Sequence, residues 1–459
     1  MGLANVGNVE GALARWVMVK NKEKTKRQIK RGLAIFIGLI IFHLAVSVLL
    51  SIIARSNFLS SLHNGQGLWN FALDSFVYHQ EALRLVDLLK RGDYSGWWGS
   101  SSFWHVKWIA LSYGAIKSDP LSFAPVNASV WAASIYCVYK TVRILFPDRQ
   151  TFSIACALIF GFYPSYLLHT TQLLKDPFYV LGILIMIWGW IGLLSAYRGI
   201  VFSLLACFGV LLAWLNRIYI LEPLIVLSLL ATALVLWRVP RSRMYALLAF
   251  VMIGALYFYQ YPPKFIQTGQ KDKRASISTS SRQTEESGTG DLTLFRNQVK
   301  NWLEYQVMRL ANARNTWIKK YPNAGSNIDT DVHFRFLADI VAYIPRAALI
   351  GFFAPFPSHW FGRPITAGPA SRILAGIEMM LWYILLLGFV YFLFTGPVAW
   401  QIRIWMLVYT LTLVVLTSLV VTNIGALYRL RYVYFLPILI GGMEGWTRFY
   451  VQRFRKTAN

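Results

Sequence analysis

Apolar runs of about twenty residues recur along this chain, and the polar connections between them carry most of its charge. As helices, at about 1.5 Å per residue, such runs match the hydrocarbon thickness of a bilayer. Within lipid a chain must satisfy its own backbone hydrogen bonds, which makes helices the available form. The runs lie near 33–54, 124–145, 151–168, 177–196, 200–216, 219–236, 245–261, 374–395, 402–421 and 432–447. A chain that is 56% hydrophobic with a mean hydropathy of +0.47 belongs with polytopic membrane proteins and not with soluble globules.

Lys and Arg number 45 against 20 Asp and Glu, a net charge of +25. That balance often marks a nucleic-acid binder. Here the basic residues lie between apolar runs and at the termini, where topology and anionic lipid account for them, so no nucleic-acid partner is expected. Cytoplasmic connections are the ones rich in Lys and Arg. The tail 1–32, Arg149, Arg198, the Arg238/Arg241/Arg243 cluster and the C-terminus with Arg448, Arg453, Arg455 and Lys456 are therefore assigned inside. The segments 55–123 and 169–176, the Asn216-Arg217 turn and 262–336 then fall outside. Cys137, Cys156 and Cys207 sit inside apolar runs, with no disulfide or zinc spacing. The first run starts after Arg31 and no small-residue cleavage site follows, so it reads as a span and not as a signal peptide.

These features predict an all-α polytopic membrane protein with about ten spans. Its parts are a cytoplasmic basic tail (1–32), a transmembrane module (33–261) with a functional loop at 55–123, an outer loop (262–336), a Pro-rich segment (337–371) and C-terminal helices (372–459). Within the outer loop, 269–291 is rich in Ser, Thr and Gly and reads as flexible. From Leu292 to Lys320, Leu294, Val299, Leu303, Val307 and Leu310 predict an amphipathic helix, ended by Pro322 and Gly325. The Pro-rich segment is interrupted at Pro345-Arg346 and reads as re-entrant or lying against the protein; if 337–357 crosses, the spans become eleven.

Charged and polar side chains concentrate on the expected outer side. After the first span, Tyr78, Ala82, Leu85, Val86 and Leu89 share one helical face, which predicts a helix lying on the bilayer surface. Asp74 stands at its start, a position favourable for a carboxylate and ordinary for an N-cap. His105 and Lys107 follow, among Trp97, Trp98, Phe103, Trp104 and Trp108. His169, Lys175 and Asp176 lie in the second outer connection, and Arg429 and Arg431 precede the last run. Charges so close to apolar runs need a partner or a task. A structural ion network is one answer. The other is a surface site where a carboxylate deprotonates a nucleophile and Arg or Lys holds a phosphate. The aromatic residues fit an interfacial anchor, or a surface that stacks on a sugar.

Asp74-x-x-x-Tyr78-x-x-x-Ala82 resembles the acidic first-loop motif of GT-C glycosyltransferases, nearest to the branch of protein O-mannosyltransferases and lipid A aminoarabinose transferases. Lys107-Trp108-Ile109-Ala110 is similar to the Lys-containing stretch that ends that loop. Phe162-Tyr163-Pro164-Ser165 and Lys175-Asp176-Pro177 resemble the second-loop pattern with its second acid. Tyr428-Arg429-Leu430-Arg431-Tyr432 looks like the basic signature before the final span of many bacterial relatives, and 343–357 like segments of proteins encoded among bacterial polysaccharide genes. Where relatives carry two adjacent acids, this chain has Asp74-Ser75.

The resemblance implies a bacterial inner-membrane enzyme that moves a sugar from a polyprenyl-phosphate donor to a glycan, lipid or protein acceptor on the extracytoplasmic face, with inversion. Asp74 would be the base, with Asp176 orienting the acceptor or Lys175. Lys107, Arg429 and Arg431 would hold the donor phosphate, and Tyr78, His105, His169 and Lys175 are candidates to touch substrate. No cofactor is required by this reading, although the oxygen ligands would suit Mg²⁺ or Mn²⁺. A polysaccharide polymerase or ligase acting on diphosphate-linked glycans is the alternative, resting on the later outer loop and its Arg296, Arg309 and Arg314. A lipid-linked sugar transporter is the second alternative, although no internal repeat of the kind such proteins carry is visible.

Overall fold

The computed structural model describes residues 6–197, 199–261, 290–320, 322, 324–361 and 368–457, with the basic tail 6–29 described as backbone only. Arg198 and nearly all of the stretch expected to be flexible (269–291) lie outside the described residues, as does the Arg296 side chain. In chain order the helices are α1 (Val6–Ile53), α2 (Asp74–Lys90), α3 (Tyr94–Gly99), α4 (Trp104–Ala115), α5 (Ala124–Leu145), α6 (Gln150–Gly161), α7 (Pro164–Thr170), α8 (Asp176–Leu194) and α9 (Ile200–Asn216). They continue as α10 (Leu221–Arg238), α11 (Arg243–Gln260), α12 (Gly290–Lys320), α13 (Leu337–Phe353), α14 (Gly368–Thr395), α15 (Trp400–Val420), α16 (Ile424–Leu430) and α17 (Tyr432–Thr457). Among the described residues there is no strand beyond two isolated bridges.

Among the described residues seven helices are long and apolar enough to cross a membrane, and nine spans result if each of two bent pairs counts as one. The bent pairs are α6–α7 and α16–α17, each turned by 60°. The first bend falls at Phe162-Tyr163-Pro164: proline fits the first turn of α7 but cannot donate back into α6. The run expected as one span at 151–168 is therefore broken. The further expected span, 200–216, is an apolar helix of 17 residues, shorter than those that meet the length for crossing.

Apolar helices in lipid gain little from the hydrophobic effect, so close packing holds them together. α8 and α9 approach at Gly209, where a Cβ would overlap the Met186 backbone. α14 and α17 approach at Gly445, where a Cβ would overlap the Gly388 carbonyl. At one end of the bundle a buried carboxylate, Glu444, pairs with Arg149 and with Arg448, the latter at 3.0 Å. Two basic residues expected on one side of the membrane thus share one acid.

The amphipathic face of α2 is as expected: Ala82, Leu85 and Val86 are buried while Arg84, Asp87 and Lys90 are exposed. The cover is protein and not the bilayer surface, because Val106, Ile109, Ala110 and Tyr113 of α4 pack against that face. α12 lies on α13 and α15 through its fully buried Arg314. That guanidinium donates to the carbonyls of Val332 (3.0 Å), Leu419 (2.9 Å) and Asp329 (2.6 Å). Beyond α12, Ser326 and Ile328 exchange backbone bonds with Ile424 (2.9 Å) and Thr422 (2.8 Å). α13 runs unbroken through Pro345, so the expected interruption there is absent; it packs on α15. Its last carbonyls, Phe352 and Phe353, accept from Trp382 and Tyr383, each at 2.8 Å.

Candidate active site

Asp74 is the first residue of α2, and no side chain caps that helix; the residue before it, Leu73, is already helical. The carboxylate turns outward and meets Arg429 at 3.3 Å across 355 residues of sequence. Arg429 lies on α16, whose start is fixed by Asn423, the side chain of which accepts the Ala426 N–H at 3.1 Å. Both residues line a cavity of about 530 Å³. Its wall also carries His169 from α7, Trp317 from α12, and His359 and Arg372 from the α13–α14 connection and the start of α14. Arg372 reaches the His359 carbonyl at 3.5 Å, and among the described residues no carboxylate pairs with it. The cavity wall therefore holds two guanidinium groups and one carboxylate, a surplus of positive charge suited to an anion.

A second charged group adjoins the first. Asp176, at the start of α8, pairs with Arg217 from the α9–α10 turn, and both are largely buried. Lys175 lays its ammonium 3.6 Å from the centre of the Phe103 ring. Burial and then Arg217 push its pKa down to about 8, while Asp176 and Asp74 pull the other way. Tyr78 stands edge-on to His105, with ring centres 4.4 Å apart. His105 is fully buried and neither ring nitrogen has a hydrogen-bond partner among the described residues; burial, followed by Lys175, drives its pKa down to about 3, so it is neutral. The phenol of Tyr78 is pushed up by burial and then by Asp74 and Asp176.

Two of the expected phosphate ligands stand elsewhere. Lys107 donates to the Trp98 carbonyl at 2.7 Å, within 5.6, 5.8 and 5.1 Å of the rings of Trp97, Trp98 and Trp104. It does not line the cavity. Arg431 is buried and does not line the cavity, donating to the Ala354 carbonyl and contacting Met379. Helical spacing explains the divergence, since neighbours two apart face different sides.

Four residues absent from the sequence-based site stand at or beside it: His359 and Arg372 line the cavity, Arg217 pairs with Asp176, and Glu378 bonds Tyr428 of the cavity wall. Arg217 stands between two apolar runs and Glu378 inside one, the placement that marks an ionisable residue in a membrane chain. Nothing local distinguishes Arg372 or His359. Asp74 and Asp176 each have an arginine partner, and among the described residues no group of three or more His, Cys, Asp or Glu could hold a metal. Comparison with protein-family models, curated proteins and solved structures finds no match.

Proposed function

We propose that this chain is a membrane glycosyltransferase that takes a sugar from a polyprenyl-phosphate donor and passes it, with inversion, to an acceptor hydroxyl on the extracytoplasmic face. One observation carries the reading: an acid from the first polar connection and a guanidinium from just before the last helix meet at 3.3 Å on the wall of a cavity of about 530 Å³. An acid to take a proton and a cation to take a leaving phosphate are what sugar transfer from a lipid phosphate requires.

Arriving donor phosphate engages Arg429, which draws the guanidinium from Asp74 and turns the carboxylate towards the acceptor. Arg372, which has no carboxylate partner among the described residues, takes the far side of the phosphate. The acceptor oxygen forms a bond to the anomeric carbon as its proton passes to Asp74. The bond from that carbon to the phosphate oxygen breaks, and the electron pair leaves on the lipid phosphate. Lys175 and the Asp176–Arg217 pair set the field beside Asp74. Lys107 and Arg431, engaged elsewhere, take no part in holding phosphate.

The polymerase reading asks the α12 arginines for catalysis, but Arg314 is spent on carbonyls and Arg309 on Glu222. Inverted vesicles or proteoliposomes loaded with a polyprenyl-phosphate sugar test the proposal. Release of lipid phosphate that survives Asp74→Asn unchanged would sink it.

A further inference from the structure

Beneath the cavity lies a carboxylate that the scheme above does not use. Glu378 is 2% exposed, in the apolar stretch Ile377-Glu378-Met379 of α14. Its side-chain oxygens accept from the Ser165 N–H and the Ser165 hydroxyl, each at 2.6 Å, and from the Tyr428 hydroxyl. The Tyr163 hydroxyl donates to its backbone carbonyl at 3.1 Å. Arg431 supplies the nearby positive charge, with its guanidinium 5.8 Å from the centre of the Tyr428 ring.

The partners of Glu378 stand on the short arms of the two bent spans. Ser165 belongs to the first turn of α7, and its carbonyl meets the His169 ring at 2.5 Å. Tyr428 belongs to α16 and is next to Arg429. His169 and Arg429 both line the cavity. One side chain on a third, straight helix therefore grips both arms. A buried carboxyl group is a poor way to add stability, since well-packed apolar groups of similar volume often do as well. Its use here is better explained by geometry.

We infer that Glu378 is a positioning residue: by holding Ser165 and Tyr428 it sets where His169 and Arg429 stand across the cavity. The kinetic readout rests on the transferase reading; the labelling readout does not. Glu378→Gln keeps the shape but can no longer accept from Ser165 and Tyr428 with both side-chain atoms. In the vesicle assay the donor KM should rise roughly tenfold with kcat within about threefold, the pattern of lost ground-state binding. Tyr428→Phe, which removes one bond and leaves the carboxylate satisfied by Ser165, should raise KM in the same direction. The two changes together should be no worse than the first alone, because they act through one contact. Glu378→Asp should recover part of the loss.

Independently of activity, a water-soluble maleimide should label Gly425→Cys, at the cavity wall on α16, at a rate that changes several-fold when Glu378→Gln or Tyr428→Phe is added. If folded Glu378→Gln keeps wild-type constants and labelling, or if the two effects add, the inference is wrong. Should Glu378→Gln not fold, Tyr428→Phe alone decides by the same two readouts. Altered labelling with no lipid phosphate released by the wild type would overturn the transferase reading and leave the positioning role standing.

Discussion

A carboxylate at the start of a helix ordinarily bends back to the free N–H groups of the first turn. Asp74 instead faces a guanidinium, and the cost of removing it follows from that geometry. The pair is partly exposed, with side chains 19% and 31% accessible, so breaking it should cost stability about 1 kcal/mol or less. Asp74→Asn should therefore fold and melt like wild type while turnover falls by roughly 10²-fold or more, as expected on losing a general base. Arg372→Ala should leave kcat near wild type and raise the donor KM about tenfold, read as lost phosphate binding. Lys175 supplies a pH test. It faces Phe103, Asp74, Asp176, Arg217 and Lys320, and it is charged below about pH 8 and neutral above. The donor KM should climb a few-fold, by roughly the weight of one nearby charge, as pH passes upward through that value. Lys175→Arg should flatten the climb. A wild-type profile without it would remove Lys175 from the site. The sequence marked Asp74 and Arg429 because charges beside apolar runs are conspicuous. It also marked Lys107 and Arg431 by the same sign, and only side-chain direction separates the two pairs.

Among elements, hydropathy foretold the long apolar helices but not the short α3, α4, α7 and α16, and α2 shows the burial pattern its periodicity demanded. Bends were less legible. A proline at a helix start and one inside a helix look alike in a string of letters: Pro164 opens α7 after a 60° turn, whereas α13 continues through Pro345. The difference lies in what surrounds the freed carbonyls, which is a matter of packing. Contact between helices depends likewise on small residues whose partners are distant in sequence. Gly445→Leu, which would drive a side chain into the Gly388 carbonyl, should destabilise α14–α17 packing by about 1–3 kcal/mol or more, visible as a lowered midpoint of thermal unfolding in detergent. The same change at Gly114, which has open space around it, should leave that midpoint unmoved.

At the scale of the whole molecule, the charged groups sort to two ends of the bundle, with Asp74, Asp176, Arg217 and Arg429 at one and Arg149, Glu444 and Arg448 at the other. Asn64→Cys and Ser326→Cys should thus react with a membrane-impermeant thiol reagent from the same side, and Arg241→Cys only from the opposite one. Labelling of all three from one side would break the assigned topology. The alternation of basic residues assigns the two groups to opposite sides, which the labelling tests; the count of crossings was less accessible, because composition alone does not tell a 17-residue apolar helix such as α9 from a full span.

Several ion pairs close only across great lengths of chain. Arg149 waits 295 residues for Glu444, and Asp74 waits 355 for Arg429. During synthesis these early charges therefore stand without their partners until the last two helices emerge. A chain truncated before Ile424 would leave Asp74 and Arg149 without these partners, take Tyr428 from Glu378, and lose the buried apolar face of α17. Such a product should be cleared by cellular quality control and not persist as a weakened enzyme, which pulse-chase of the shortened chain would reveal.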